Sequence, residues 1–284
     1  GGGKSFLLLL EPCYHIANGK FWCVVFRRTV PMLRAPGGLW DASREVYSRL
    51  RATAREQGCE WTFPSGAQVK FSGMELESDC YTWQGSEITL VAFDELTQST
   101  ERQFFYLLSR NRSPSGVRPY VRATTNPDSD SWLRGFIRWW IDDATGLPIP
   151  ERAGVLRWFV RRDDAIVWGE TRQKLVQKFE DDAEPKSVTF IPTSVHDNKL
   201  LLQKDPAYVS NLKALPTVDR ERLLNGNWNI RAQAGNYFRR EWFQIVPTAP
   251  AGIRRVRYWD LAATAPKSGS DPDWTCGALL GVHD

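Results

Sequence analysis

The stretch Ile88-Thr89-Leu90-Val91-Ala92-Phe93-Asp94-Glu95 decides the fold that we expect for this chain. A mostly apolar run that ends in two adjacent acids is typical of a buried parallel strand with carboxylates at its carboxyl end. Ligands of open α/β sheets bind at that end of the strands. There Asp94 would hold Mg²⁺ through water, and Glu95 would orient a water that attacks a γ-phosphate. Strands ending in Asp-Glu also occur by chance, so this interpretation needs a second motif.

The second motif opens the chain. Gly1-Gly2-Gly3-Lys4-Ser5 is followed by the apolar run Phe6–Leu10 and matches the second half of the phosphate-binding loop G-x-x-x-x-G-K-S/T. Glycines let backbone N–H groups converge on phosphate oxygens, and a helix starting near Lys4 would point its positive end at the same anion. Lys4 would reach the β- and γ-phosphates, and Ser5 would bind Mg²⁺. The alternative is a flexible glycine segment before a buried helix.

A third motif follows the acids. Residues Tyr120-Val121-Arg122-Ala123-Thr124-Thr125-Asn126-Pro127 predict another strand, which ends in hydroxyl and amide side chains. In ATPases whose acid-bearing strand ends in Asp-Glu, a polar residue at this strand end senses the γ-phosphate and couples hydrolysis to movement. A common Thr-Asn-Pro turn after a strand is the alternative interpretation.

Composition sets outer limits on the function. The chain has 284 residues, 42% hydrophobic and 25% charged, with a net charge of 37 − 33 = +4, as in an ordinary globular protein. No apolar run approaches the roughly 18 residues of a membrane helix. Five dispersed cysteines fit neither a zinc ribbon nor a disulfide framework, so a reducing cytoplasm is expected. We interpret most of the 13 tryptophans as core residues rather than nucleobase platforms.

Around these motifs the pattern alternates between helices and strands and predicts an α/β fold. We expect a helix from Phe6 to about Ala17, a strand over Phe21–Phe26 and a helix from about Leu39 to Gln57. Residues 60–71 predict a hairpin around Pro64-Ser65-Gly66. The polar, proline-containing stretch 142–150 is a candidate boundary, after which residues 150–230 would form a subdomain with strands at Val155–Val160 and Val188–Ile191.

The last third of the chain is less regular. Residues 231–252 form a basic, aromatic strip suited to phosphates and unstacked bases, although a linker packed against two domains explains it equally well. Val256–Ala263 then predicts a strand carrying Asp260, and Asp273–Val282 predicts a second, apolar strand. An aspartate on the first strand of such a hairpin is a typical metal anchor of two-metal nucleases of the ribonuclease H type.

Together these motifs, in this order, resemble the large subunit of the terminase of tailed bacteriophages, the motor that packages DNA into the capsid. The resemblance covers nearly the whole chain. It is carried by the ATPase motifs above and by Val25-Phe26-Arg27-Arg28-Thr29, Trp40-Asp41, Thr62-Phe63-Pro64-Ser65-Gly66-Ala67, Trp83-Gln84-Gly85-Ser86, Phe93-Asp94-Glu95-Leu96-Thr97, Ser109-Arg110-Asn111-Arg112, Asn225-Gly226-Asn227-Trp228 and Tyr258-Trp259-Asp260-Leu261-Ala262.

The resemblance implies a P-loop ATPase domain of the additional-strand type, with a mostly parallel sheet, over residues 1–230. Residues 231–252 would be a linker, and residues 253–284 the start of a ribonuclease H-like nuclease domain. Implied cofactors are ATP and Mg²⁺ for the ATPase and Mg²⁺ or Mn²⁺ for the nuclease. Implied partners are double-stranded DNA, the portal protein of the procapsid, the terminase small subunit and further copies in a ring, with no membrane. The place of action would be the cytoplasm of the infected bacterium, docked transiently on the procapsid.

The resemblance also implies roles for individual residues. Nucleotide binding falls to Gly1, Gly2, Gly3, Lys4 and Ser5, catalysis to Lys4, Asp94 and Glu95, magnesium binding to Ser5 and Asp94, and coupling to Thr124, Thr125 and Asn126. Asp260 matches the first nuclease metal ligand, and Asp273 a secondary acidic position. From the residues themselves, Arg27 and Arg28 are candidates for phosphate contacts, and Arg110 or Arg112 is a candidate finger acting in trans. A solvated surface position is nevertheless the preferred interpretation of each arginine.

Two departures from the family pattern matter. The front of the phosphate loop and the later nuclease acids do not occur in the sequence. We therefore interpret the chain as a fragment that would bind ATP poorly and would not cleave DNA. The principal alternative function is a helicase-like ATPase that remodels nucleic acid without cutting it, and an inactive P-loop scaffold is a further alternative. A transporter ATPase is disfavoured because no Leu-Ser-Gly-Gly-Gln stretch precedes Asp94.

Overall fold

The chain forms two compact units, Gly1–Ala232 and Gln233–Asp284. The structure, a computed structural model, describes residues 3–179, 184–231, 242, 244, 254–261 and 275–282. Within the described residues, the first unit holds a six-stranded and a three-stranded sheet, and the second holds a two-stranded one. None of the described helices is long and apolar enough to cross a membrane.

The six-stranded sheet is the centre of the first unit. Its strands, in chain order, are β1 (Trp22–Arg27), β2 (Thr53–Arg55), β3 (Glu60–Thr62), β4 (Gln68–Gly73), β5 (Leu90–Phe93) and β6 (Tyr120–Ala123). In space they lie in the order β2-β3-β4-β1-β5-β6. The run β4-β1-β5-β6 is parallel, whereas β2 and β3 add to it as antiparallel strands. The expected mixed α/β fold with a mostly parallel sheet is confirmed; its assignment to the additional-strand type stays a prediction.

Helices cover both faces of this sheet because its central strands are apolar on both sides. In β1, Cys23 and Val25 pack on one face with α1 (Lys4–Leu10) and α3 (Leu39–Tyr47). The alternate residues of β1, Val24 and Phe26, pack on the other face with α4 (Glu101–Arg110) and α5 (Trp132–Phe136). Side chains of a strand alternate between faces, so one buried strand contributes to two core layers. The short helix α2 (Val30–Arg34) follows β1.

The tryptophans belong mainly to these core layers. Five are buried, namely Trp40, Trp61, Trp83, Trp140 and Trp228. Five more are partly buried against the core clusters: Trp22, Trp132, Trp139, Trp158 and Trp168. Their interpretation as core residues is confirmed.

The rest of the first unit is a smaller sheet and a helical segment. The smaller sheet contains β7 (Arg157–Arg162), β8 (Ala165–Gly169) and β9 (Lys186–Val188), in the order β8-β7-β9. Helix α6 (Arg172–Phe179) packs on it through the buried Leu175. The helices α7 (Lys199–Lys204), α8 (Tyr208–Lys213) and α9 (Thr217–Leu223) follow.

The described part of the second unit is one antiparallel hairpin. It pairs β10 (Arg254–Asp260) with β11 (Cys276–Val282), and Asp260 lies opposite Cys276. Most of the basic strip at 231–252, and also Asp273, lie outside the described residues.

Two predicted helices are shorter than expected. The helix predicted from Leu39 to Gln57 ends at Tyr47, and Thr53–Arg55 forms β2 because it pairs with β3, a contact that local sequence does not encode. The helix predicted to reach Ala17 ends at Leu10, and a 3₁₀ turn over Glu11–Tyr14 replaces its last part. Pro12 has no N–H to donate to the preceding turn, which explains this early end.

Candidate nucleotide-binding site

The parallel register brings three strand ends together. The Asp94 amide donates to the carbonyl of Phe26, the last residue but one of β1, at 2.8 Å. The Thr124 amide donates to the carbonyl of Phe93, the last residue of β5, also at 2.8 Å. The residues at the ends of β1, β5 and β6 therefore lie side by side at one edge of the sheet, where ligands of open α/β sheets bind.

Asp94 is the buried centre of the site. Only 2% of the residue is exposed. One carboxylate oxygen accepts hydrogen bonds from the Thr124 hydroxyl at 2.8 Å and the Ser5 hydroxyl at 3.3 Å. The other oxygen accepts from the Arg27 guanidinium at 2.7 Å, which is a charge-assisted bond. A buried carboxylate needs such partners, and these three donors supply hydrogen bonds to both oxygens of Asp94.

Asn126 joins the predicted lysine to the predicted catalytic acid. The Lys4 ammonium donates to the side-chain oxygen of Asn126 at 2.6 Å. The side-chain NH₂ of Asn126 donates to one oxygen of Glu95 at 2.7 Å, and its backbone N–H donates to the other at 3.1 Å. Asn126, which follows β6, thus contacts both Lys4 and Glu95.

The backbone of Glu95 is unusual. Its φ of 57° and ψ of 60° lie in the left-handed region, which side chains other than glycine rarely adopt. The Thr124 side chain accepts from the Glu95 amide at 3.3 Å, and the Thr124 carbonyl accepts from the Leu96 amide at 2.8 Å. These bonds hold the turn in place. Such strain concentrates at functional sites, where the surrounding structure fixes a side chain in one direction.

Burial shifts the pKa values of Glu95 and Lys4 in the directions that favour the neutral forms of these side chains. The pKa of Glu95 is raised above its usual value, first by burial and second by the negative charge of Asp94. Burial also lowers the pKa of Lys4, although Glu95 and Asp94 act against that shift. A carboxyl with a raised pKa in a cleft suits an acid or base role.

The phosphate loop is described only from Gly3 onward, so Gly1 and Gly2 lie outside the described residues. Gly3 has a φ of 75°, a conformation that favours glycine, and it directly precedes α1. A Cβ at Gly3 would lie 3.8 Å from the side-chain nitrogen of Asn198. The segment that begins α7 therefore reaches the phosphate loop.

The residues present fit a magnesium–nucleotide complex. Lys4 offers a cation for phosphates, and Ser5 and Asp94 offer oxygen ligands within 3.3 Å of each other. Among the described residues there is no group of three or more His, Cys, Asp or Glu that could hold a metal by itself. Magnesium bound with a nucleotide needs no such group, because waters and phosphate oxygens complete its shell. The buried Nε of Arg27 has no hydrogen-bond partner among the described residues.

The four candidate arginines lie in different parts of the first unit. Arg27 belongs to the site through Asp94, and Arg28 is exposed. The Arg110 carbonyl accepts from the Ile88 amide, and the Arg112 guanidinium donates to the Ser86 carbonyl. Both arginines therefore lie beyond the amino end of β5, away from Asp94 at its carboxyl end. Within one chain they cannot be part of the same cluster, and a role in trans stays a prediction.

The remaining candidates are not part of the cluster. The Thr125 hydroxyl donates to the Thr97 hydroxyl at 3.2 Å and so supports the neighbouring turn. Asp260 is exposed on the hairpin of the second unit. The nuclease role of Asp260, and that of Asp273, stay predictions.

Sequence reasoning missed several partners in the site. It assigned Arg27 to phosphates and Thr124 to coupling, but not to Asp94, and it did not consider Asn198. The first two contacts follow from the parallel register of β1, β5 and β6, which an alignment of strand ends could have suggested. Asn198 carries no recognisable signal, since it is one polar residue at the start of a short helix.

The sequence also matches a known protein family. Residues 1–245 match the family described as terminase large subunit, T4likevirus-type, N-terminal. The chain belongs to the terminase large subunit family. The resemblance based on sequence motifs is thereby confirmed. A search of curated proteins found no match.

Solved structures with the same fold include large terminases. One from a thermophilic bacteriophage aligns with a TM-score of 0.53 and 16% identity over 100% of this chain and 58% of its own. The same protein in complex with ADP aligns with a TM-score of 0.52 and 15% identity, over 100% of this chain and 58% of its own. Its complex with ATP-gamma-S aligns with a TM-score of 0.50 and 16% identity, over 100% of this chain and 57% of its own. This terminase chain thus spans 58% of the first of these structures. At such identity the likeness establishes the fold of the chain.

Proposed function

We propose that this terminase chain is the ATP-hydrolysing part of a motor that moves double-stranded viral DNA into a procapsid. The observation that carries the proposal is the cluster of Lys4, Ser5, Asp94, Glu95 and Asn126. Ser5 bonds Asp94 at 3.3 Å, and Asn126 bonds both Lys4 and Glu95 at 2.6 and 2.7 Å. These are the residue types that phosphoryl transfer needs, because its catalysis depends on positioning and on the neutralisation of charge. Membership of the terminase large subunit family supports DNA as the cargo.

Nucleotide binding is the task of the loop and of Asp94. When bound, the nucleotide brings the γ-phosphoryl group, and Mg²⁺ neutralises part of its charge. Lys4 leaves the side-chain oxygen of Asn126 and binds the β- and γ-phosphates. Ser5 and Asp94, which contact each other, are the residues that would hold the metal. Arg27 pairs with the second carboxylate oxygen of Asp94 and holds that side chain in place.

Hydrolysis is the task of Glu95. Thr124 holds its left-handed backbone in place, and Asn126 holds both of its carboxylate oxygens. Glu95 orients and polarises the attacking water. Asn126 loses or regains Lys4 as the nucleotide binds and leaves, and it thereby reports the state of the site to the chain that follows it.

The assembly and the nuclease belong to the same proposal. The DNA would be moved by a ring of copies docked on the portal protein, after a small subunit has recognised it. Asp260 would bind a Mg²⁺ or Mn²⁺ ion of a nuclease site in the second unit. The helicase-like alternative shares the ATPase cluster, and family membership favours the packaging motor over it.

Replacement of Glu95 by glutamine tests the proposal. In the full-length protein, we expect Glu95→Gln to bind ATP as the wild type does, because Lys4 and Asp94 are intact. Turnover should fall about 100-fold or more, since an amide cannot act as a base. Glu45→Gln, on the exposed surface of α3, is the matched control and should keep full turnover. Nucleotide binding and steady-state phosphate release are the two measurements.

Two outcomes contradict the proposal. If Glu95→Gln loses nucleotide binding together with turnover, Glu95 is a structural residue and the assigned mechanism fails. If the wild-type protein hydrolyses ATP but unwinds duplex DNA instead of moving it intact, the helicase-like alternative is correct. A packaging assay with purified procapsids and a strand-separation assay distinguish these two activities.

A further inference from the structure

The segment that follows Asn126 is held by residues far along the chain. The Arg222 Nε on α9 donates to the carbonyl of Pro127 at 2.8 Å. The same guanidinium forms an ion pair with Asp128 at 3.4 Å. Two contacts from one arginine thus fix the residues directly after Asn126, which itself contacts Lys4 and Glu95.

Further contacts continue along both segments. The Ser129 hydroxyl donates to the Ile230 carbonyl at 3.1 Å, and Arg231 pairs with Asp130 at 3.0 Å. We call residues 222–231 the exit segment, because they are the last part of the first unit that the structure describes before its boundary at Ala232. The exit segment therefore runs beside residues 127–130 and contacts each of them.

The exit segment is also anchored to the body of the unit. Trp228 is 2% exposed, and its amide donates to the Gly146 carbonyl at 2.8 Å. Asn229 donates from its side-chain NH₂ to the Asp143 carbonyl at 2.8 Å and accepts from Arg134 at 3.0 Å. A displacement of residues 127–130 would consequently act on a segment that is packed and hydrogen-bonded, not on a loose chain.

Arg222 is the strongest of these links. Its side chain is 33% exposed and that of Asp128 is 34%, whereas the values for Arg231 and Asp130 are 67% and 74%. Exposed ion pairs contribute about 0–1 kcal/mol, while shielded charge-assisted bonds contribute more. Arg222 also bonds a backbone carbonyl, so it follows the main chain of the segment and not only a mobile side chain.

We propose that Arg222 is a positioning residue that transmits the state of Asn126 to the exit segment. This inference rests on the proposed function and specifies how that site is coupled to movement. When Lys4 exchanges Asn126 for a phosphate, the Asn126–Pro127 backbone shifts, and Arg222 carries the shift to α9 and the residues that leave the first unit. Arg222 contacts no nucleotide and is not a catalytic residue.

The test separates hydrolysis from movement in the full-length protein. Arg222→Gln should leave ATP binding and the basal ATPase rate unchanged, because no residue of the cluster is altered. The DNA length packaged per ATP hydrolysed should fall, because the contact that carries the state of Asn126 to the following segment is lost. Arg220→Gln, two residues earlier on the same helix, is the control, because its side chain makes no hydrogen bond or ion pair within the described residues. Packaging into purified procapsids and phosphate release are measured together.

Further variants keep the test decisive. Asp128→Asn removes the ionic partner and should reduce coupling in the same direction. Arg222→Lys keeps the positive charge. A lysine ammonium lacks the planar guanidinium that contacts the Pro127 carbonyl and the Asp128 carboxylate together, so partial coupling is expected. If Arg222→Gln does not fold, as thermal unfolding will reveal, these two variants decide the question.

Three results would overturn the inference. Equal loss of ATP hydrolysis and packaging would mean that Arg222 supports the catalytic site itself. Unchanged packaging per ATP in Arg222→Gln and Asp128→Asn would mean that the contact transmits nothing. Equal uncoupling by Arg220→Gln would point to the surface charge of α9. A wild-type protein that hydrolyses no ATP would contradict the proposed function itself, and the comparison of variants shows which of the two has failed.

Discussion

At the scale of single residues, the candidate site is a small group of charged side chains that are largely buried. Asp94 remains paired with Arg27, whereas Glu95 and Lys4 both shift toward their neutral forms. Charges removed from water cost free energy unless their partners are complete. In the structure, Asp94, Glu95 and Lys4 all have such partners, and the proposed function requires that Lys4 exchange its partner Asn126 for a phosphate.

The raised pKa of Glu95 predicts an inverted pH dependence of stability. Between the usual pKa of a glutamate and the raised value, the folded protein binds a proton that the unfolded chain does not, so stability falls as pH rises through this window. Glu95→Gln removes that titration. Without nucleotide and with EDTA, we expect the melting temperature of the variant minus that of the wild type to increase from about pH 4.5 to pH 7. Thermal unfolding followed by circular dichroism measures it.

The difference between the two proteins reports the titration of Glu95 together with the change in the pKa of Lys4 that the charge of Glu95 causes. A melting-temperature difference that decreases with pH would mean that Lys4 holds the pKa of Glu95 low and outweighs the effect of burial. Glu45→Gln should show no pH-dependent difference, since Glu45 is exposed on α3.

The sequence predicted which residues belong to the cluster but not which of them contact each other. Lys4, Ser5, Asp94, Glu95 and Asn126 were predicted because each follows a glycine run or an apolar strand, which are local patterns. The bond between Arg27 and Asp94 depends on the pairing of β1 with β5, and the left-handed backbone of Glu95 depends on Thr124. Interactions of that kind are fixed by strand register, which no single segment encodes.

At the scale of elements, the turn over residues 142–147 shows how one glycine joins two segments. Gly146 is buried and has a φ of 73°, and its carbonyl accepts from the Trp228 amide. A Cβ at this position would lie 2.3 Å from the Asn227 side-chain oxygen and 2.8 Å from the Asn229 amide. The polar stretch that the sequence marks as a candidate boundary is thus a turn on which the exit segment packs.

An alanine at Gly146 should destabilise the first unit for two separate reasons. The left-handed backbone costs about 1–2 kcal/mol for a residue with a Cβ, and the collision with Asn227 adds about 1–3 kcal/mol. Gly116→Ala is the matched control, because Gly116 has a φ of 80° but a Cβ there would meet nothing within 4 Å. We expect the free energy of unfolding, from urea denaturation, to fall more for Gly146→Ala than for Gly116→Ala. Equal losses would show that the segments around Gly146 and Asn227 separate without cost.

The strands β1, β5 and β6 were predicted within two residues. The first two are buried apolar runs, which the sequence shows directly, whereas β6 is partly exposed and contains Arg122. The short strands β2 and β8 were missed, since three to five partly exposed residues become a strand only through pairing with β3 and β7. Tertiary pairing, which propensity does not report, therefore decides the smaller elements.

At the scale of the whole molecule, the chain forms two compact units. Every described contact of the candidate nucleotide-binding site lies within Gly1–Ala232, and Asp260 lies in Gln233–Asp284. A site built wholly within one compact unit does not need the carboxylate of the other for its geometry. The proposed ATPase and the proposed nuclease should therefore be separable by mutation.

Replacement of Asp260 tests this separation in the full-length protein. We expect Asp260→Ala to abolish DNA cutting while the ATPase rate stays unchanged. Removal of a metal ligand should cost more than the about 10- to 100-fold that loss of an outer-shell partner costs. Cys276→Ala is the control. Cys276 pairs with Asp260 across the hairpin, so its replacement changes the same part of the hairpin but leaves the carboxylate in place. Plasmid cutting with Mg²⁺ or Mn²⁺ and phosphate release from ATP are measured on the same preparations. If cutting survives in Asp260→Ala, the nuclease metal is held elsewhere. If both activities fall together in Asp260→Ala and Cys276→Ala, the hairpin is needed for folding and the two activities are not separable there.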